Sequence, residues 1–531
     1  MELISLKFGL FLLGLLAAYY LTGRFAQRFQ WVVLLFGSMV FYGVAGSWPT
    51  ISFMMLVALV TWGAALLLDK LGHEAKQARK QTKDRTERKR IRQVFDRKRR
   101  VVFWGALALC LVVLGYFKYW NVLLFYAGAA DSIFSLGILL PLGISFYTFQ
   151  SLGYLIDSYN AKYEPERNYA RYLLFVSWFP QIIQGPINRY NEMAPQLFEP
   201  RHFDPASFER GALRLGYGIL KKVAIANVLF NAVEIAFETG AGAAIPGSLA
   251  LYGVITYSIQ MYADFSGGID IVEGASELFG IRMADNFKQP YFAVSLADFW
   301  RRWHISLGTW MRDYVFYPLA VTAPMKRFGK WSRKHFSRHV GRTLPACISN
   351  VLVFLFVGLW HGAQIHYVVW GIYNGVVVAL ADLFKPVFDG LVNRLRIRRE
   401  SAGFRLFSMA RTFCVVCIGR FFDRFDRLGD ALHALHNVFV PSTYQPIHDV
   451  LAVKVAWHAD VMGYPLPTIA AIVFVFVVDI FYERGHDVRS SVLGMKLPVR
   501  ALIYLVAILL VAAAASLDTT NGGGGFLYAN F

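Results

Sequence analysis

Apolar runs long enough to cross a bilayer recur from one end of this 531-residue chain to the other, and nothing else in the sequence narrows its fold as much. They fall at about 3–22, 31–47, 50–68, 101–128, 133–157, 211–239, 247–272, 346–384 as an out-and-back pair, 406–422, 466–482 and 500–516. A hydrocarbon core roughly 30 Å thick needs about 20 helical residues to cross it. Lipid offers the backbone no hydrogen-bond partner, and the runs lack strand-like alternation, so the spans are expected to be helices and not barrel strands. The expected fold is an all-α, polytopic membrane protein of about 11–14 helices, some of them re-entrant or interfacial. A composition of 56% hydrophobic and 17% charged residues agrees.

The formal charge of +19 raises the question of nucleic acid. The basic residues cluster in short loops between spans, where the positive-inside rule accounts for them, so no nucleic-acid partner is expected. Residues 69–100, "DKLGHEAKQARKQTKDRTERKRIRQVFDRKRR", hold fourteen Lys or Arg against five Asp or Glu. This stretch reads as a basic cytoplasmic excursion that can touch anionic lipid, and three spans before it put the N-terminus outside. The first run, "LISLKFGLFLLGLLAAYYL", has no clear cleavage site and reads as the first span. Cys110, Cys347, Cys414 and Cys417 lie in or beside apolar segments. They imply neither a disulfide framework nor a zinc site.

Two stretches break the pattern. "LLFVSWFPQIIQGPINRY", Leu173 to Tyr190, carries Pro180, Gly185 and Pro186; a proline-broken piece at membrane depth is tolerated where it lines a protein cavity, so it is expected to be re-entrant or kinked. Residues 286–320 mix charges with Trp and Phe, a composition for helices at an interface or inside the protein. Basic loops at 325–342 and 394–400 belong in the cytoplasm, so the segment from 346 leaves it and the one ending near 384 returns. His361 is then about fifteen residues into the pair, about 22 Å, deep and nearer the outer face. The tail "LDTTNGGGGFLYANF" is expected outside, and no internal repeat supports a two-halved transporter.

An imidazole at that depth is a functional candidate, able to accept one proton and donate another around a reference pKa near 6.5. Gly358 and Gly362 flank His361 and permit close approach, and Trp360 and Gln364 add donors. The alternative is a satisfied histidine bonding a neighbouring helix. His304, in "WRRWHISLGTW", sits among Arg301, Arg302 and Arg312, with Asp298 spaced to pair with Arg302 at i, i+4. Asp157, Asp264 and Asp270 also enter apolar sequence and need partners or water there. With His361 they would make a proton relay, the transporter reading. No metal motif, phosphate loop or nucleophile elbow is present, so one histidine base acting on an incoming hydroxyl is the simplest chemistry left.

Five blocks in order carry a resemblance: "PLGISFYTFQSLGYLIDSY" (141–159), "FPQIIQGPINRY" (179–190), "YADFSGGIDIVEGASELFGIRMADNFKQPY" (262–291), "DFWRRWHISLGTWMRDYVFYPL" (298–319) and "GLWHG" (358–362). The chain resembles the membrane-bound O-acyltransferase family, in its bacterial alginate O-acetyltransferase branch. The resemblance implies one membrane domain over 1–531, with the excursion at 69–100, a catalytic core at 141–384 and alginate-type helices at 400–531. It also implies a central tunnel, with His361 as the family's catalytic histidine and His304 as the histidine of its "WHISL" block. Trp303, Trp360, Gln364, Asn374, Asp264, Gln150 and Arg302 become substrate or tunnel candidates, Asn374 standing where family members often carry histidine.

The implied reaction moves an acyl group, expected to be acetyl, from acetyl-CoA or an acyl carrier in the cytoplasm to an acceptor hydroxyl outside. No bound cofactor or metal is expected. The implied acceptor is an exported polysaccharide or an extracytoplasmic partner with a serine esterase-like (SGNH) fold, and the implied location is the bacterial inner membrane. D-alanyl transfer to teichoic acid is the near alternative. A proton-coupled transporter and a structural scaffold are the distant ones.

Overall fold

In the computed structural model, residues 2–126, 141–238, 245–362, 364–445, 460–461 and 464–515 are described. The tail after Ala515, the end of the run at 101–128 and the start of that at 133–157 lie outside them. Among the described residues nine helices are long and apolar enough to cross a bilayer: Leu6–Phe25, Gln27–Ala45, Ile51–Gln81, Arg85–Trp120, Arg338–His361, Ile365–Leu383, Ala402–Arg424, Leu466–Glu483 and Leu497–Ala515. The chain is an all-α multi-pass membrane protein. It divides into two compact units, residues 1–215 with 271–284 and residues 216–270 with 285–531.

In the first unit the basic excursion is a continuation of two spans. Helices Ile51–Gln81 and Arg85–Tyr126 run through it and leave a short turn at 82–84. Asp84 caps the second helix, accepting from Thr86 N at 3.0 Å and Glu87 N at 3.3 Å, which satisfies amides with no intrahelical partner. The proline-broken run is a helix, Tyr169–Ser177, then a single turn, Phe179–Ile182, then non-helical chain up to Tyr190. Ser38 Oγ accepts from Phe179 N at 3.2 Å and Asn188 Nδ2 donates to Pro186 O at 3.1 Å. Protein groups thus replace the hydrogen bonds that the break removes, the condition for irregular backbone at depth.

The second unit holds the less apolar helical segments. After Leu220 the chain widens into a π-helical stretch, Lys221–Asn227, before Val228–Glu238. Lys221 Nζ donates to Asp270 Oδ2 at 2.7 Å and Lys222 Nζ to Asp264 Oδ1 at 2.6 Å, on the helix Gly247–Glu277. A Cβ on Gly267, between those two acids, would meet Gly218 O and Lys221 Cβ at 3.0 Å, so its missing side chain lets the helices close far enough for both lysines to reach. Short helices follow, Leu296–Arg302, Ile305–Met311 and Ala323–His335, and then the tightly packed pair Arg338–His361 and Ile365–Leu383.

Candidate active site

Both histidines of interest lie in the second unit. Ser295 begins the helix Leu296–Arg302, its hydroxyl accepting from Asp298 N at 3.1 Å while Asp298 reaches back to Val294 N at 3.2 Å. The helix stops where Trp303 enters an antiparallel bridge with Phe287. Lys288 N donates to Arg302 O at 2.9 Å and Ile305 N to Asn286 O at 3.0 Å. Pinned on both sides, His304 adopts a left-handed conformation, φ 49° and ψ 53°. For a non-glycine residue this costs on the order of 1–3 kcal/mol, and such strain tends to collect at functional sites.

The imidazole of His304 is 3% exposed. Its Nδ1 lies 3.1 Å from Asn286 Oδ1, and Phe265 meets the ring edge-on at 5.0 Å. Burial pushes its pKa down to about 3, so His304 is neutral at physiological pH.

His361 is the last residue of its helix, which ends where Gly362 turns extended. The backbone reaches this end closely packed: a Cβ on Gly371 would overlap the Phe354 carbonyl oxygen, and one on Gly358 the Tyr367 carbonyl oxygen. Trp360 at 4.8 Å, Trp370 at 5.0 Å and Tyr367 at 5.9 Å wall the buried imidazole. Because the helix starts at Arg338 and not near 346, His361 is farther along it than a count from 346 gives. From Arg342, the last basic residue before it, the rise is about 28 Å.

One cavity of about 530 Å³ is lined by both His304 and His361. Its long wall is a single face of the span, Asn350, Val353, Phe354, Val357 and His361, covering about 16 Å of helix. The opposite wall comes from the short helices and includes Trp300, Trp303, Leu307 and Phe316, with the guanidinium-bearing Arg301 and Arg312. An elongated, mostly apolar chamber with a few polar groups suits a flexible acyl-bearing ligand.

The other candidates sit as follows. Trp303 lines the cavity, with the Arg420 guanidinium 4.8 Å over its ring. Trp360 approaches both imidazoles, 6.3 Å from the His304 ring. Asn374 accepts from Trp300 Nε1 at 3.1 Å and donates to Trp370 O at 2.8 Å, behind the cavity wall. Gln364 is exposed at the head of the next helix. Arg302 is tied to Asp298 at 3.2 Å and to Glu483 at 2.6 Å. Gln150 is buried in the first unit. Asp264 and Asp270 are the acids paired with Lys222 and Lys221, and Asp157 meets Lys162 at 3.3 Å, so each has the cation that a buried carboxylate needs.

Asn286, Arg301, Arg312 and the helix face from Asn350 were not among the sequence candidates. The face has a legible signal, the 350, 353, 354, 357, 361 spacing of one helical stripe. Asn286 has none, since its partner lies eighteen residues away.

The family model described as "MBOAT, membrane-bound O-acyltransferase family" matches residues 166–419, which include both histidines. The probable alginate O-acetylase AlgI of Pseudomonas syringae pv. tomato is 33% identical over 427 residues, 77% of this chain and 69% of that protein. This chain belongs to the membrane-bound O-acyltransferase family. Further along the family, the peptidoglycan O-acetyltransferase of Helicobacter pylori is 32% identical over 308 residues, 52% of this chain and 55% of the relative. The teichoic acid D-alanyltransferase of Bacillus subtilis is 28% identical over 249 residues, 46% and 59% of the two chains. The protein is thus a membrane O-acyltransferase, and the matched residues include both histidines that line the cavity.

Proposed function

We propose that this O-acyltransferase takes an acetyl group from a cytoplasmic thioester, acetyl-CoA or an acyl carrier, and passes it to a hydroxyl outside the membrane. The acceptor is an exported polysaccharide, or a serine esterase-like (SGNH) acetyltransferase that relays the group. In this reading the protein sits in the bacterial cytoplasmic membrane with its N-terminus outside. The observation that carries the proposal is the chamber running along one span and ending at His361, at the end of that helix remote from the basic residues around Arg338.

His361 removes the proton from the acceptor hydroxyl as its oxygen attacks the thioester carbonyl. The new C–O bond forms, the C–S bond breaks, and the proton passes on to the departing thiolate, giving ester and free thiol. A positioned base of this kind supplies about 10² to 10⁴ in rate. The apolar walls exclude water that would otherwise hydrolyse the thioester, and Arg301 and Arg312 offer cations to a phosphate-bearing donor. Acetyl is favoured over D-alanyl because the alginate-type relatives match more of the chain at higher identity. Membranes containing the protein, supplied with labelled acetyl-CoA, should transfer label to polysaccharide or to an extracytoplasmic protein. Transfer from a D-alanyl carrier with none from acetyl-CoA would overturn the choice of acyl group.

A further inference from the structure

Asn286 Oδ1 is the meeting point of three hydrogen bonds. It lies 3.1 Å from Ser306 N, 2.8 Å from Ser306 Oγ and 3.1 Å from His304 Nδ1. A backbone N–H can only donate, so the atom facing Ser306 N must be the amide oxygen and not the nitrogen. With the oxygen fixed there, the bond to the imidazole has a single sense: Nδ1 carries the proton and donates. In a neutral ring Nε2 is then the unprotonated nitrogen.

We propose that Asn286 is a positioning residue that locks His304 as the Nδ1–H tautomer, so that His304 serves the reaction as a hydrogen-bond acceptor through Nε2 and not as a donor to the oxyanion. This deepens the acyl-transfer reading and rests on it. His304 lines the cavity, and in this tautomer Nε2 is the accepting nitrogen of its ring, the atom suited to an incoming hydroxyl, which it orients towards the carbonyl while His361 takes the proton. The developing oxyanion must therefore be met by other groups.

Several features hold the tautomer. The bond from Ile305 N to Asn286 O at 3.0 Å and the Phe287–Trp303 bridge fix the two segments in register, and the left-handed backbone at His304 turns its side chain towards that amide. Phe265 and Trp360 meet the ring at 5.0 Å and 6.3 Å, and neither carries charge. The charged groups sharing the cavity are Arg301 and Arg312, ion-paired with Asp298 at 3.5 Å and Asp313 at 2.9 Å, burial is what holds the ring neutral, and His361 is the other titratable group there.

Asn286→Asp tests the inference. A carboxylate can also accept from Nδ1–H, but its charge favours protonation of the ring, which removes the Nε2 lone pair. Acetyl transfer from labelled acetyl-CoA, followed against pH at matched membrane abundance, should fall about twofold or more near pH 5 relative to the native protein and recover towards pH 8. A pH profile that superimposes on the native one, or a variant more active at low pH, would overturn the acceptor role. If the variant does not accumulate, nitrogen NMR of ¹⁵N-histidine-labelled native protein, with His304 assigned by its loss in His304→Gln, reads the tautomer directly. An Nε2–H ring would refute the inference, and an Nδ1–H ring supports it. Native membranes that transfer no acyl group would refute the acyl-transfer reading, while the NMR result still decides the tautomer.

Discussion

Replacing Asp264 with alanine removes the carboxylate that receives Lys222 Nζ at 2.6 Å, in a place where the two side chains are 1% and 6% exposed. At that separation and an effective dielectric near 20, the gross attraction is about 6 kcal/mol, most of it offset by the desolvation of both groups. The net effect of removing one partner is larger than the pair's own contribution, because an ammonium is left buried without its carboxylate, a change that costs about 3–5 kcal/mol. Asp264→Ala should therefore lower membrane abundance and the thermal midpoint in detergent steeply. The double variant Asp264→Leu with Lys222→Met, which leaves no charge, should recover most of both. Acetyl transfer per folded molecule should stay within a few-fold of native in the double variant. If Asp264→Ala accumulates and melts like the native protein, or the double variant is as unstable as the single, the ion-pair reasoning is wrong. Loss of transfer in a stable double variant would put Asp264 in the chemistry.

Three further outcomes follow from the same geometry. Gly371→Val should destabilise the protein by about 1–3 kcal/mol, since its side chain meets the Phe354 carbonyl, and should lower activity by displacing the helix that bears His361; thermal midpoint and acetyl transfer both read it. Asn374→Ala takes away the acceptor of Trp300 Nε1 and should cost about 1 kcal/mol, with a modest fall in transfer because Trp300 lines the cavity. For pH, the His304 imidazole has a folded pKa depressed to about 3, so below about 6.5 the unfolded chain binds a proton that the folded one does not. Stability should thus decline as pH falls through that window, and His304→Gln should show a shallower decline when thermal midpoints are compared across it.

The membrane fold was legible because lipid imposes it: a run such as Leu497–Ala515 has no alternative to helix. The proline-broken run at 173–190 was legible for the same reason, through Pro180 and Pro186. Boundaries were harder. Basic first turns hid the start of Arg338–His361, because charge reads as loop although helix continues through it. His361 stood out as an imidazole in an apolar run, whereas Asn286 is an ordinary residue whose role arises from a bridge to a segment eighteen residues on. The pairing of Asp264 with Lys222, forty-two residues apart, was likewise hidden, so the acids looked uncompensated in sequence. The left-handed backbone at His304 gave no warning either, since no glycine marks it.

The central claim is that the imidazole of His361 removes the acceptor's proton during acyl transfer. It is tested most directly by labelled acetyl transfer in membranes carrying the native chain or His361→Ala, at matched protein abundance and thermal midpoint. The variant should lose about 10²-fold or more of the transfer, with abundance unchanged. Transfer at the native rate by a folded His361→Ala protein would contradict it.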